Sequence, residues 1–155
     1  MPRFYLRYRY YRIDILLACY LVRLAESLAC YLVTLKKLED ITAYRISTEL
    51  SDEIWEIVSR WEWFSKKTVG DQYVRAVDSI SANIAEGFGR FHKKDKNKFF
   101  FNARASVFEA AHWTKQAWAR KLLNDKQYEN IMQKLRMLPR EINYLIKITR
   151  ENLKY

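Results

Sequence analysis

The side chains with the clearest capacity for chemistry are three carboxylates, Asp78, Glu86 and Glu109, which could cluster with Ser79 and Asn83. A pair of carboxylates is the minimum for general acid–base catalysis. No further catalytic pattern accompanies them: the sequence has two widely separated histidines and no HExxH, CxxC or glycine-rich phosphate loop. The sequence therefore predicts no catalytic, cofactor-binding or metal-binding residues, and we expect a protein that is not an enzyme.

A dense run of basic residues offers a different chemistry, the binding of phosphates. It comprises Arg90, Lys93, Lys94, Lys96 and Lys98, against the single acid Asp95. Clustered cations neutralise phosphates without reading base sequence, so we expect salt-sensitive and weakly specific nucleic-acid binding at these five residues. A connection between helices whose charges hold it in water also fits this pattern.

The helix that precedes this run carries two distinct faces. Tyr73, Val77, Ile80 and Ile84 recur at spacings of four, three and four, which predicts a face in contact with a core. A second line of polar residues, here called the polar stripe, is expected to continue onto the next helix: Arg75, Ser79, Asn83, Glu86, Arg104 and Glu109. Buried ion pairs within this stripe would fix helix register and subunit orientation.

The ends of this helix are also predicted from residue types. Thr68 and Asp71 are expected to cap its start, because a hydroxyl and a carboxylate can bond the free N–H groups of a first turn. Gly87 and Gly89 are expected to end it in the left-handed conformation, which glycine adopts without a Cβ clash.

Three further helices are predicted. The first runs from Leu38 to Arg60, and an aromatic connection from Trp61 to Lys67 follows it and covers the end of the core. The third runs from Asp95 to Lys121, with its core positions at Phe99, Ala103, Ser106, Ala110, Trp113 and Ala117. The fourth begins at Asn124 and Gln127 and has its core positions at Tyr128, Ile131, Leu135, Leu138, Ile142 and Leu145. Pro139 lies inside it, and we expect a kink without a break.

A family resemblance rests on the second and third helices. Its residues are Arg75-Ala76, Ser79-Ile80, the run from Asn83 to Gly87, Gly89-Arg90, Phe99, Ala103-Arg104, Ser106 and Glu109. From about Leu38 to Asn152 the chain resembles the four-helix-bundle proteins encoded in intervening sequences of bacterial 23S ribosomal RNA genes. The resemblance implies an antiparallel up-down four-helix bundle, a homopentameric ring, a suspected nucleic-acid role and no defining enzymatic activity. A distantly similar protein, the accessory protein of diversity-generating retroelements, binds a reverse transcriptase and nucleic acid.

Composition supports one all-α domain. The chain has 155 residues, of which only three are glycine and two are proline. We place a four-helix bundle domain at residues 36–155 and an extension of uncertain status at residues 1–35. The net charge of +10 lies mainly on the bundle, and it either attracts a polyanion or keeps a basic protein in solution.

Two classes of function follow. The first is a ring that binds RNA or DNA through the basic run. The second is a protein-interaction scaffold that docks a partner such as a reverse transcriptase on aromatic surface around Trp61, Trp63, Trp113 and Trp118. Binding to nucleic acid that collapses with added salt favours the first class, and no binding at low salt favours the second.

The N-terminal extension carries an apolar run over residues 13–35, which three charges, Asp14, Arg23 and Glu26, interrupt. Those charges would cost several kcal/mol in a bilayer, so we expect no membrane span, and no clear cleavage site indicates a signal peptide. Both cysteines, Cys19 and Cys30, lie in this extension and leave the bundle without a disulfide framework, which fits a reducing cytoplasm.

The extension also contains LACYLV twice, at residues 17–22 and 28–33. An eleven-residue offset suits three turns of an amphipathic helix, or records a duplicated DNA segment upstream of the true start. We hypothesise that translation begins near Val33 or Leu35 at a non-ATG codon. Intact-mass measurement of the protein expressed from its native gene should then give a mass that lacks residues 1 to about 34, and a mass that includes Met1 would contradict the hypothesis.

Overall fold

The computed structural model describes residues 37 to 152, and this part of the chain is a bundle of four long helices. We number them α1 (Thr42–Ser59), α2 (Asp71–Gly89), α3 (Lys93–Ala119) and α4 (Asp125–Asn152). A short 3₁₀ turn, Leu38–Asp40, precedes α1. Each helix packs on the next, and α4 returns to α1. The predicted all-α four-helix bundle is confirmed, whereas the extension, its repeat and its cysteines lie outside the described residues.

Side-chain contacts establish that neighbouring helices run antiparallel. The hydroxyls of Tyr73 near the start of α2 and Thr114 near the end of α3 lie 2.9 Å apart. At the other end of the same pair, Lys96 in the first turns of α3 donates to the carbonyl oxygen of Phe88 at 2.8 Å. The helices α3 and α4 are related in the same way, since Lys93 Nζ lies 3.2 Å from the carbonyl oxygen of Arg150. The topology is therefore up-down, as expected.

The core follows the predicted faces of α2 and α4. Tyr73, Val77, Ile80 and Ile84 are fully buried. Five of the six positions expected in the core of α4 are buried: Ile131, Leu135, Leu138, Ile142 and Leu145. The sixth, Tyr128, is half-buried and packs against the core. These two helix faces form one hydrophobic interior together with Leu50 and Ile54 of α1.

The core face of α3 is rotated from the predicted one. Ala103, Ala110 and Ala117 are buried as expected, but Phe99, Ser106 and Trp113 are only half-buried. Their places are taken by Phe100, Val107 and Thr114. Both sets alternate by three and four residues around the same three alanines, so spacing alone does not separate them.

Thr114 belongs in the core because its hydroxyl is satisfied there. It donates to the carbonyl oxygen of Ala110 at 2.7 Å, which uses its only proton. The Tyr73 hydroxyl, 2.9 Å away, must therefore be the donor to Thr114. Burial raises the pKa of the Tyr73 phenol, so this donor keeps its proton even in alkaline solution.

The connection between α1 and α2 is helical, which differs from the prediction. A helical turn at Trp63–Ser65 and a π-helical segment at Lys66–Gly70 lead directly into α2. Thr68 donates to the carbonyl oxygen of Phe64 at 2.8 Å, as a residue inside a helix does. The prediction that Thr68 and Asp71 cap the helix is therefore wrong, because the backbone has no free helix start at this point.

The glycines near the end of α2 have a different role from the predicted one. Among the described residues no glycine has a positive φ, and the residue that follows α2, Arg90, is extended with a φ of −73° and a ψ of 144°. Gly87 is buried inside the helix, where an added Cβ would lie 2.7 Å from a ring carbon of Phe100. Gly87 is required for close packing of α3 on α2, and the predicted left-handed termination is wrong.

The fourth helix starts at the predicted residues, and the structure shows how its start is capped. The side-chain oxygen of Asn124 accepts from the backbone N–H of Gln127 at 2.8 Å, and the Gln127 side chain accepts from the Asn124 N–H at 3.0 Å. This reciprocal arrangement satisfies two backbone donors at the helix start. The helix then runs unbroken through Pro139. The kink at Pro139 stays a prediction.

Replacing Gly87 by Ala should destabilise the bundle by about 1–3 kcal/mol, because the new methyl group would press on the buried Phe100 ring. Gly89→Ala is the matched control: an added Cβ there meets nothing within 4 Å, so we expect no loss and a gain of up to about 1 kcal/mol. Urea denaturation of the two variants checks this, and equal midpoints would contradict the role assigned to Gly87.

Candidate nucleic-acid interface

The predicted basic run is mostly helical. Only Arg90, Phe91 and His92 separate α2 from α3, and α3 begins at Lys93. Lys93, Lys94, Lys96 and Lys98 therefore occupy the first two turns of a 27-residue helix, two residues earlier than the expected start. A helix displays residues in fixed directions, so these lysines cannot all face one ligand.

Three of the five predicted cations contact other parts of the protein. Arg90 forms an ion pair with Glu86, and its guanidinium lies 4.7 Å from the centroid of the Phe99 ring. Lys96 and Lys93 donate to the carbonyl oxygens of Phe88 and Arg150, in the last turns of α2 and α4. Cations are favourable there because the last carbonyls of a helix lack partners within it. Burial also lowers the pKa of Lys96.

Lys94 and Lys98 are exposed and border a groove between α3 and α4. The first part of this groove is lined by Lys93, Lys94, Asn97, Lys98, Phe101, Asn102 and Arg150. It continues past Phe101 and Arg150 into a concavity that adds Arg104, Asn143, Ile146, Lys147 and Glu151. We call the two parts the α3–α4 groove. Six basic side chains and one acid line it, so its potential is positive.

Phe101 occupies the middle of the α3–α4 groove and is 40% exposed. The guanidinium carbons of Arg104 and Arg150 lie 5.8 and 5.6 Å from its ring centroid. Arg104 is held by a 3.0 Å hydrogen bond to the Asn143 side chain. An exposed ring between cations is suited to stacking on a flat, electron-rich group such as a nucleobase.

Asn97 adds an unsatisfied acceptor to this groove. The residue is only 9% exposed, and its side-chain oxygen has no hydrogen-bond partner within the described part of the chain. Buried polar atoms are normally bonded, so this oxygen is an unsatisfied acceptor within a residue that lines the groove.

The groove was only partly visible in the sequence. Arg104 was expected to meet the polar stripe, and Lys147 and Arg150 were not singled out at all. They lie about 50 residues from Lys98 and reach it because α3 and α4 are antiparallel. The available signal was the cluster of basic residues near the end of the fourth predicted helix.

Apart from Arg104, which donates to the Asn143 side chain of α4, the polar stripe does not bridge helices within one protomer as expected. Arg75 is exposed and pairs with Asp71 at 3.3 Å. Asn83 donates to the Ser79 carbonyl oxygen at 2.6 Å, and both contacts lie within α2. Glu86 pairs with Arg90, and Glu109 is exposed. These side chains lie on the solvent side of α2 and α3, where pairing requires no partner helix. Their role in subunit assembly stays a prediction.

Other side chains bridge the helices instead. Glu53 of α1 accepts from Asn130 at 2.7 Å and from Lys134 at 2.8 Å, both on α4. Ser51 of α1 donates to Asp78 of α2. The carboxylate of Asp78 thus accepts a hydrogen bond that links α1 to α2. Within residues 37–152 no group of histidine, cysteine and acidic side chains is arranged to hold a metal ion.

The aromatic surface proposed for protein docking is composed differently from the prediction. Trp61 is buried and Trp113 is half-buried. Trp118 is exposed as predicted, and it also stacks on Tyr128 and donates to Asp125. Trp63 is 73% exposed and borders a groove with Trp55, which is 64% exposed and was not predicted. Trp55 falls outside the core spacing of its helix, and this position could have indicated from the sequence that Trp55 is exposed.

The geometry defines an antiparallel four-helix-bundle protein with a basic groove along one helix pair. None of the helices described, from residue 37 onward, is both long and apolar enough to cross a bilayer. The model of the 23S rRNA-intervening sequence protein family matches residues 39–144, more than half of the chain, and the protein belongs to that family. The resemblance noted in the sequence is confirmed.

A solved structure shows the same fold. It is the crystal structure of a protein of unknown function from the S23 ribosomal protein family of Bacteroides thetaiotaomicron VPI-5482, with a TM-score of 0.61 and 20% sequence identity. The match covers 68% of this chain and 99% of that chain. A comparison with curated proteins finds no match.

Replacing Lys96 by Gln should lower the stability of the bundle by about 1 kcal/mol, because the Phe88 carbonyl loses a charged donor at the end of α2. Lys94→Gln on the same helix is the control and should stay within about 0.5 kcal/mol of the parent. Thermal unfolding followed by circular dichroism measures both. Equal melting temperatures for the two variants would show that Lys96 has no structural function.

Proposed function

We propose that this protein is a non-enzymatic, oligomeric nucleic-acid-binding protein of the cytoplasm that holds RNA or DNA by its phosphates in the α3–α4 groove. The observation that supports this most is the convergence of six basic side chains from two helices on one groove that contains one acid. A net charge of +10 adds a field that attracts polyanions from a distance.

The physical basis of the proposed binding is charge neutralisation. Each phosphate contact releases condensed counterions, which favours binding and makes it weaken with added salt. The groove runs along the helix axes, so it presents cations as a row that suits a chain of phosphates. Its contacts are to the backbone of the nucleic acid, which predicts affinity with little base-sequence preference.

Oligomerisation would increase this effect. In the pentameric ring that the family resemblance implies, the groove occurs five times, and linked sites bind one long polyanion more tightly than separate sites do. The pentamer is part of the proposal and is tested by native mass spectrometry.

A second candidate function is a protein-interaction scaffold, for example an accessory subunit that docks a reverse transcriptase. The exposed Trp55 and Trp63 favour it, because large aromatic side chains in a groove are typical of protein interfaces. This candidate requires no nucleic-acid binding by the protein alone.

An electrophoretic mobility assay with structured RNA and duplex DNA across a salt series tests the proposed function. The double variant Lys94→Glu/Lys98→Glu should lower affinity by at least about tenfold and reduce the salt slope by about two, because each lysine removed loses about one phosphate contact. Lys115→Glu/Lys126→Glu is the matched control, with the same change in charge on exposed residues near the opposite end of α3 and the start of α4. Its salt slope should stay at the parent value.

Two outcomes would contradict the proposal. Equal losses in both double variants would show that only overall charge matters and that the groove is not the site. No binding by the parent protein at low salt would reject nucleic-acid binding and favour the scaffold. Pull-down of a reverse transcriptase by the parent protein and by the Trp55→Ala/Trp63→Ala control would then test the scaffold.

A further inference from the structure

The α3–α4 groove combines features that together indicate one form of nucleic acid. Lys94, Lys98 and Phe101 occupy positions separated by four and three residues, so they share a face of α3. Arg150 of the neighbouring helix α4 has its guanidinium carbon 5.6 Å from the centroid of the Phe101 ring. The ring thus shares a helix face with two lysines and lies close to an arginine of α4.

Duplex nucleic acid makes poor use of this arrangement. The bases of a duplex are paired and stacked on each other, so neither face of a base is free to stack on an aromatic side chain unless the duplex is first unstacked at an energetic cost. An unpaired base has a free face that stacks on a phenylalanine ring or on an arginine guanidinium, and its flanking phosphates remain available to cations. The position of Phe101 among cations therefore favours a single strand.

Asn97 supports the same assignment by a separate observation. It lies in the groove one turn before Phe101, more than nine-tenths buried, with a side-chain oxygen that lacks a partner in the described residues. A nucleotide carries donors that phosphate alone does not, namely the N–H groups of its base and, in RNA, the 2′-hydroxyl of ribose. An unsatisfied acceptor in a residue that lines the groove fits a ligand that has a base as well as a phosphate.

We propose that the α3–α4 groove binds unpaired nucleotides, with a base stacked on Phe101 and the adjoining phosphates on Lys94, Lys98 and Arg150. This inference rests on the proposed nucleic-acid function and specifies its substrate class as single-stranded RNA or DNA. Sequence preference is weak in this arrangement, because every base has a face that can stack.

The test uses the full-length protein and fluorescence anisotropy with labelled twelve-nucleotide oligonucleotides: oligo-U, oligo-dT, and a twelve-base-pair duplex of mixed sequence. The single strands should bind more tightly than the duplex at the same salt concentration. Phe101→Ala should weaken single-strand binding roughly 5- to 150-fold, and it should leave both the salt slope and duplex binding unchanged. Phe101→Trp should retain single-strand binding.

Phe108→Ala is the matched control, because Phe108 is 63% exposed on the same helix but lies outside the groove. Its affinity for single strands should equal that of the parent. An oligonucleotide with an abasic site at every second position separates stacking from charge: it should bind the parent more weakly, and Phe101→Ala should then cause a smaller further loss. Comparison of oligo-U with oligo-dU, which differ only at the 2′ position, shows whether the 2′-hydroxyl contributes.

The outcomes distinguish the two levels of the proposal. Loss of all binding at low salt in the parent protein would reject the proposed function itself. Salt-sensitive binding in which duplex and single strand are equal, or in which Phe101→Ala behaves like Phe108→Ala, would overturn the unpaired-nucleotide site and leave phosphate binding intact. Melting temperatures of the variants establish that each is folded, which a change in exposed residues should permit.

Discussion

The contact between the Phe100 ring and Gly87 sets the geometry on which the candidate site depends. An added Cβ at Gly87 would lie 2.7 Å from that ring, so only glycine allows α3 to lie this close to the end of α2. Burial of Phe100 also fixes the rotation of α3 about its own axis. Because a helix turns by about 100° per residue, the next residue, Phe101, is directed away from the core and into the α3–α4 groove. The site is thus positioned by packing in the core.

Polar contacts stabilise the bundle at two levels of burial. Deep in the core, Tyr73 donates to Thr114 and Thr114 donates to Ala110, so both hydroxyls are satisfied without a charge. Nearer the surface, both oxygens of Glu53 accept bonds from α4, where the carboxylate keeps partial contact with water. Placing the charge at the edge avoids the desolvation cost of a buried ion pair. This explains why the bundle does not need the buried pairs that the polar stripe suggested.

Periodicity predicted the parts of the fold that local patterns determine. The core faces of α2 and α4 and the start of α4 at Asn124 and Gln127 each arise from residues within a few positions of one another. The core face of α3 was ambiguous, because two sets of positions share its alanines. Thr114 is polar, and the sequence does not show that the Tyr73 hydroxyl is its hydrogen-bond partner in the core. The α3–α4 groove depends on contacts between residues about 50 positions apart, which no single helix pattern contains. The π-helical segment before α2 likewise depends on packing, since Val69 and Gly70 are buried.

The lysines at the start of α3 fall into two groups with different surroundings. The last turns of α2 and α4 both end beside this start, and their unpaired carbonyl oxygens carry partial negative charge. Lys96 and Lys93 donate to those carbonyls, so part of the basic run is explained by the antiparallel fold. Lys94 and Lys98 contact neither helix end, and they share their groove with Arg104, Lys147 and Arg150 from further along the chain. A count of basic residues in the run therefore includes cations that bond the ends of neighbouring helices. It also omits cations from elsewhere in the chain that line the groove. The charge available to a ligand depends on which helix ends meet, and antiparallel packing of α3 on α4 adds Lys147 and Arg150 to the groove.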